Sequence, residues 1–281
     1  MMKHMLKLGT AFVFSGALLL SPYGEASAAA SIKVHYIDVG QGDAIYIKMP
    51  SGEDVIIDGG NKGKGDAIVA YLKKQKVDDI EVLISTHPDA DHIGGLDEIL
   101  DAYRVENIYA PKVKHTTQAY KDFLQAVKRE GKTIKTAQAG VKLPIKGVSA
   151  KFVGPVKSYS NSDLNNWSAV LHVTYKKNTF LFTGDAEHVS EKDMMAKKQT
   201  LRADVLKVGH HGAKTSTSST FLNTVKPKHA IISVGKNSYG HPTSEVVTNL
   251  KRQKANTLRT DKNGTIIITG NGSSYAVKKS K

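Results

Sequence analysis

Apolar and polar residues alternate over Ile32–Ile37 and again over Ala44–Lys48, which predicts two paired strands. Between them, Asp38-Val39-Gly40-Gln41-Gly42-Asp43 places two glycines among polar residues and predicts a tight turn. A third strand, Asp54–Ile57, runs into Asp58-Gly59-Gly60. The period then changes. Over Asp66–Lys76, Ile68, Val69 and Leu72 fall on one face of a helix. The apolar run Val82-Leu83-Ile84, within Glu81–Ser85, predicts a buried strand. Helices follow at Asp97–Ala102 and Tyr120–Arg129, with a short strand at Ile108-Tyr109 between them. The spacing of Phe123, Leu124 and Val127 places all three in the core. Residues 132–151 read as short strands whose lysines form a solvated face.

The second half repeats the plan. Val170–Tyr175 and Thr179–Phe182 predict a hairpin around Lys176-Lys177-Asn178, and Glu191–Lys198 a helix. Strand Ala203–Val208, helix Ser218–Val225, strand Ala230–Ser233 and helix Glu245–Lys254 come next. Thr265–Thr269 and Tyr275–Val277 close the chain as strands. Strands followed by helices, twice, with no dividing linker, predict an α/β fold of two facing sheets with helices outside.

At the N-terminus a small basic segment, the apolar run Leu8–Leu20 and Ala26-Ser27-Ala28 read as a secretory signal peptide over residues 1–28, leaving 29–281 as one domain. The run is short for a membrane span, so no stable membrane insertion is expected after cleavage, and the mature chain is expected outside the cell. Setting aside Lys3, Lys7 and Glu25 changes the formal charge from +14 to +13. That balance suits an anionic partner such as DNA or a cell-wall polymer. Without cysteine there are no disulfides and no thiolate metal site.

The candidate chemistry gathers on strand ends. His87-Pro88-Asp89-Ala90-Asp91-His92 places four metal-capable side chains within six residues, after a buried strand and before Gly94-Gly95. Two carboxylates and two imidazoles in one tight loop repel and desolvate one another unless a cation sits between them. Asp58 ends a neighbouring strand and reads as an acceptor that orients a ligand, or as a turn residue. Asp185, after Thr183-Gly184, is placed to bridge two cations or to cap a helix. Of His210 and His211, one is expected to ligate while the other faces substrate. Lys214 precedes a hydroxyl-rich helix start, which reads as an anion site or as ordinary capping. His241 lies in a third polar loop, as a proton donor to a leaving oxygen or a phosphate contact.

These motifs, in this order, resemble the metallo-β-lactamase-fold hydrolases. The likeness is closer to the metallo-hydrolase domain of the competence DNA-uptake protein ComEC, and it spans about residues 32–277. The resemblance rests on Asp38–Asp43, Asp58–Gly60, Ser85–Gly95, Asn166 with Ser168, Leu181–Glu187, Leu206–Ser216 and Tyr239–Pro242. It implies a four-layer αββα sandwich with two divalent metal ions on one edge. His87 and Asp89 would hold one ion, Asp91, His92 and His210 the other, and Asp185 would bridge them. Two departures stand out. Asp89 replaces the family's commoner His, and Asn166 and Ser168 occupy the place of a further His. An oxygen-rich first site shifts preference from zinc toward manganese.

The expected activity is metal-dependent hydrolysis of a phosphodiester, most naturally extracellular DNA. Asp91 would orient or deprotonate water, His211 or His241 would assist the leaving oxygen, and Lys214 would stabilise phosphoryl charge. The rival readings are a cell-wall phosphodiesterase, such as a phosphocholine esterase, and a non-catalytic DNA- or wall-binding protein.

Overall fold

The computed structural model describes residues 30–281; the signal-peptide reading of residues 1–28 lies outside them. The first run of elements is β1 (Ile32–Tyr36), β2 (Ile45–Lys48), β3 (Asp54–Ile57), α1 (Gly65–Lys74), β4 (Ile80–Ile84), α2 (Ala90–Ile93), α3 (Leu96–Ala102), β5 (Val105–Ala110), α4 (Gln118–Arg129) and β6 (Ile134–Thr136). The second run is β7 (Ser149–Phe152), β8 (Leu171–Tyr175), β9 (Asn178–Phe182), α5 (His188–Ala196), β10 (Val205–Lys207), α6 (Ser219–Val225), β11 (His229–Ile232), α7 (Ser244–Arg252) and β12 (Asn256–Arg259). A one-turn α8 (Thr260–Asn263) leads into β13 (Ile266–Gly270) and β14 (Tyr275–Lys279).

The strands form two sheets, ordered β14-β13-β1-β2-β3-β4-β5-β6 and β12-β11-β10-β9-β8-β7. The last hairpin thus returns to the first sheet, where β13 pairs with β1, Val34 opposite Ile268. From β3 to β6, and from β9 to β12, neighbouring strands run parallel. Strand ends that point the same way gather loops on one edge, where α/β sheets bind ligands.

Alternation along each strand sends its residues to two cores. Ile45 and Ile47 enter the layer between the sheets, whereas Tyr46 faces the outer helices. Tyr36 meets Phe182 across the inner layer, as Tyr109 meets Phe152, with ring centres 6.2 Å and 5.7 Å apart. Outside the first sheet, Ile68, Leu72, Ile99 and Phe123 pack from α1, α3 and α4. Outside the second, Met194, Phe221 and Leu250 pack from α5, α6 and α7. The layers are αββα, as expected. Leu124 departs from its core placement. It is 39% exposed, because Phe123, Ala126 and Val127 already fill the inward stripe of α4. No helix among the described residues is long and apolar enough to cross a membrane.

Candidate metal centre

β4 is an inner strand of the first sheet, and its end delivers Ser85-Thr86-His87 to the ligand edge. The chain then makes one helical turn rather than an open loop. Asp89 is extended at its N-cap, and Ala90–Ile93 turn on bonds from the His92 and Ile93 amides to the Asp89 carbonyl (3.0 and 3.1 Å). His87, Asp89, Asp91 and His92 therefore share one small volume. Gly94 and Gly95 allow the turn to sit down on its neighbours, since a Cβ on Gly95 would collide with the Gly59 carbonyl.

The second sheet supplies the facing wall. β9 ends at Thr183-Gly184-Asp185, and the Asp185 amide donates to Ser168 Oγ (3.0 Å). Ser168 thus positions the loop, and Asn166 does the same by accepting from the Ser190 amide (2.9 Å). β10 leads into Gly209-His210-His211-Gly212, where both histidines hold positive φ, 46° and 53°. Two consecutive non-glycine residues there cost of order 1–3 kcal/mol each and persist only where surrounding contacts impose them.

Three imidazoles are locked in one tautomer each. Thr86 Oγ1 donates to Asp58 Oδ2 (2.6 Å) and so accepts from His87 Nδ1 (3.1 Å). His92 Nδ1 donates to Asp58 Oδ2 (2.8 Å), and His211 Nδ1 to the Ser233 carbonyl (2.9 Å). In each ring this leaves Nε2 directed into the cluster, where its lone pair can meet a cation once any proton is displaced. Those three nitrogens, with Asp185 Oδ1, are buried and have no hydrogen-bond partner among the described residues. Their neighbours stand at ligand spacing. His92 Nε2 is 3.3 Å and His211 Nε2 3.4 Å from the two Asp185 oxygens, His211 Nε2 is 3.3 Å from Asp91 and His87 Nε2 is 3.4 Å from Asp89. Those gaps match the edge of a tetrahedron, about 3.3–3.5 Å, around an ion held at roughly 2.0–2.1 Å. Orphaned, converging N and O donors fit divalent cations, and three overlapping groups form, all sharing His92: His87, His92 and Asp185; Asp91, His92 and His211; and Asp43, Asp58 and His92.

Electrostatics agree. Burial opposes charge on His92, but Asp185, Asp58 and Asp91 outweigh it and raise its pKa well above the ordinary value. His211 is likewise pushed up to about 10, with Asp185 outweighing burial. Burial would raise Asp185, yet the facing His211 and His92 hold it well below the usual carboxylate range. Cations and protons would compete for the same carboxylate cage.

Two expectations need correction. His211, expected to face substrate, is buried with Nε2 inside the cluster, and His210 stands outside it. The successive positive φ values turn the two side chains apart: His210 Nδ1 is tied to Glu187 (3.1 Å), and its Nε2 lies 3.7 Å from Asp185. Lys214 is exposed and does not line the cleft. The helix start beside it is capped, since Ser218 Oγ accepts from the Phe221 amide and Glu191 accepts from the Thr217 and Ser218 amides. His241 lines the cleft, and burial, with the nearby His210 and His211, lowers its pKa.

Asp43 and Lys207 are additions to the set. Fully buried Lys207 bonds Asp43 Oδ2 (2.7 Å) and the Val208 carbonyl (2.9 Å), and Asp43 Oδ1 lies 3.5 Å from His211 Nδ1. A lysine inside the apolar strand Val205-Leu206-Lys207-Val208 was the available signal. The cluster floors a cleft of about 330 Å³ walled by Gln41, Asn61, Asp89, Asp91, His210, Tyr239 and His241.

Residues 37–236 match the sequence pattern of the metallo-beta-lactamase superfamily. The chain belongs to that superfamily. Its fold is that of metal-dependent hydrolases, and its likeness to the ComEC metallo-hydrolase domain is carried by named relatives. The chain is 34% identical over 252 residues to ComE operon protein 3 of Bacillus subtilis, covering 83% of this chain and 32% of that protein. It is 32% identical over 242 residues to Recombination protein 2 of Haemophilus influenzae, covering 84% of this chain and 28% of that protein. The chain thus spans about a third of these relatives' length. Among solved structures it is similar to the metallo-beta-lactamase fold protein YhfI of Bacillus subtilis, with a TM-score of 0.56 and 12% identity, covering 85% of this chain and all of that one. That likeness concerns fold alone.

Proposed function

We propose that this superfamily member hydrolyses phosphodiesters with two divalent cations, manganese or zinc, and that its substrate is DNA outside the cell. The observation that carries the reading is the buried cluster of unpartnered ligand atoms at the floor of an open, polar cleft. Support for DNA comes from the formal charge of +14 and from a relative named Recombination protein 2. Secretion rests on the apolar N-terminal run.

His87, Asp89, His92, Asp185, Asp91 and His211 would hold the cations. Bound cations supply Lewis acidity to an attacking water and to the phosphoryl oxygens. Asp91, partly exposed on the cleft wall, orients that water and receives its proton. His210, anchored through Nδ1 on Glu187, presents Nε2 to the cleft and hands a proton to the leaving oxygen. His241, on the cleft wall, directs a ring nitrogen at the substrate.

The test strips the protein with chelator, restores manganese, zinc or magnesium, and follows linear DNA, circular DNA and bis-nitrophenyl phosphate. Cleavage of DNA should return with metal and fall at least about a hundredfold in Asp185→Ala. Binding should weaken as salt rises. Turnover of the small diester without DNA cleavage would replace DNA by a cell-wall phosphodiester. Tight DNA binding with no turnover under any metal would leave a non-catalytic binding protein.

A further inference from the structure

A second recess, of about 410 Å³, adjoins the metal cleft. Pro88 forms part of its wall, and the next residue, Asp89, lines the cleft, so the two hollows share one stretch of backbone. The recess is apolar on Pro88, Val113 and Tyr120. The Tyr120 hydroxyl donates to the Val113 carbonyl (3.3 Å), which fixes the ring against its neighbour. Asn161 adds a polar edge. Lys112 and Lys114 also line it and are exposed. Lys62 and Lys157 are neutralised by Asp122 and Asp193, but Lys112 and Lys114 enter no ion pair among the described residues. The metal cleft itself is lined by Asp89, Asp91 and Asp185 and by no lysine. Side-chain cations for a polyanion therefore stand in the recess, beside the catalytic floor.

We infer that this recess receives one unpaired nucleobase of the strand being cut, with Lys112 and Lys114 on the adjoining phosphates, so that the preferred substrate is single-stranded. The inference rests on the phosphodiester reading above and adds strandedness to it. A recess with apolar walls flanked by cations offers the two features that bind single strands, an apolar surface for a base and charge along the backbone. A base in a duplex reaches such a slot only by leaving its stack, at an energetic cost that a single strand does not meet.

Two variants separate the slot from the chemistry. Lys112→Glu with Lys114→Glu reverses the charge. Thr136→Trp, at an exposed wall position, fills part of the recess. Metal-loaded wild type and variants are compared on a labelled single-stranded oligonucleotide, its duplex and bis-nitrophenyl phosphate. Wild type should bind and cut the single strand at least about tenfold better than the duplex. Each variant should lose about tenfold or more on the single strand. Turnover of the small diester, too small to span both hollows, should stay within about twofold, which also shows that the variants fold and hold metal. If both variants cut the single strand as wild type does, or if wild type prefers duplex, the recess inference falls while the nuclease reading stands. If wild type turns over the small diester yet neither binds nor cuts any DNA, both fall together.

Discussion

At the scale of single residues, the pair His210-His211 decides how the second ion would be held. Sequence places two histidines after a buried strand and offers no way to choose between them. The choice is made by backbone: both residues adopt positive φ, which sends one ring into the cluster and the other to the cleft wall. His211→Ala should remove about one equivalent of bound metal, read by elemental analysis of the purified protein. His210→Ala should retain the metal and lower kcat by about a hundredfold. Equal metal loss in both variants would contradict the division of roles. Other residues were legible. The run from His87 to His92 announces a cation because its charges conflict without one, and Asp58 emerges as the acceptor that orients His92. Lys214 was misleading, since hydroxyls and a lysine before a helix look the same whether the helix end is open or already capped by Glu191.

At the scale of elements, buried strands were read well because parallel strands covered on both faces are continuous apolar runs. The one-turn α2 was not legible. Four residues carry too little periodicity, and the turn is imposed by seating Gly94 and Gly95 on the β3 loop. β10 shows the opposite failure. Its apolar pattern identified the strand and hid the purpose of Lys207, which faces Asp43 rather than solvent. Lys207→Met should leave the Asp43 carboxylate buried and uncompensated, destabilising the protein by about 3–5 kcal/mol. Adding Asp43→Asn should recover part of that loss. Denaturant midpoints of the metal-free single and double variants check the coupling, and additive losses would show that the two do not act as a pair.

At the scale of the whole molecule, the sandwich follows from strands and helices arriving twice in the same order, the strands apolar on both faces and the helices on one. What could not be read was the convergence: nothing local brings Asp185 within 3.3 Å of a histidine ninety-odd residues earlier in the chain. Stability should also depend on pH through a group far from the metals. Burial, aided by the Lys33 charge, lowers the pKa of His35 from 6.5 to about 4. The folded state therefore resists a proton that the unfolded chain accepts. This contribution is complete above about pH 6.5 and is lost as pH falls toward 4, a change of up to about 3 kcal/mol. His211, raised to about 10, acts in the opposite sense above pH 6.5, so wild type and His35→Gln are compared metal-free at each pH. The wild type should lose stability more steeply between pH 6.5 and 4.5 than His35→Gln. Parallel curves would remove His35 as the cause.

The ligands come from two sheets whose strands share no ladder. His87, Asp89, Asp91 and His92 follow β4 in one, and Asp185 and His211 follow β9 and β10 in the other. Ions seated between them would rivet two halves otherwise joined by the apolar contact of their inner faces and a few polar links, among them Lys207 to Asp43 and the Ala169 amide to the Thr86 carbonyl. Removing the rivet should let that one rim breathe. Amide hydrogen exchange at Thr86, Asp185 and Ala213 would quicken on chelation, while amides of β11 near His229, at the far rim, would exchange as before. The catalytic ions would then also serve as the clasp of the fold.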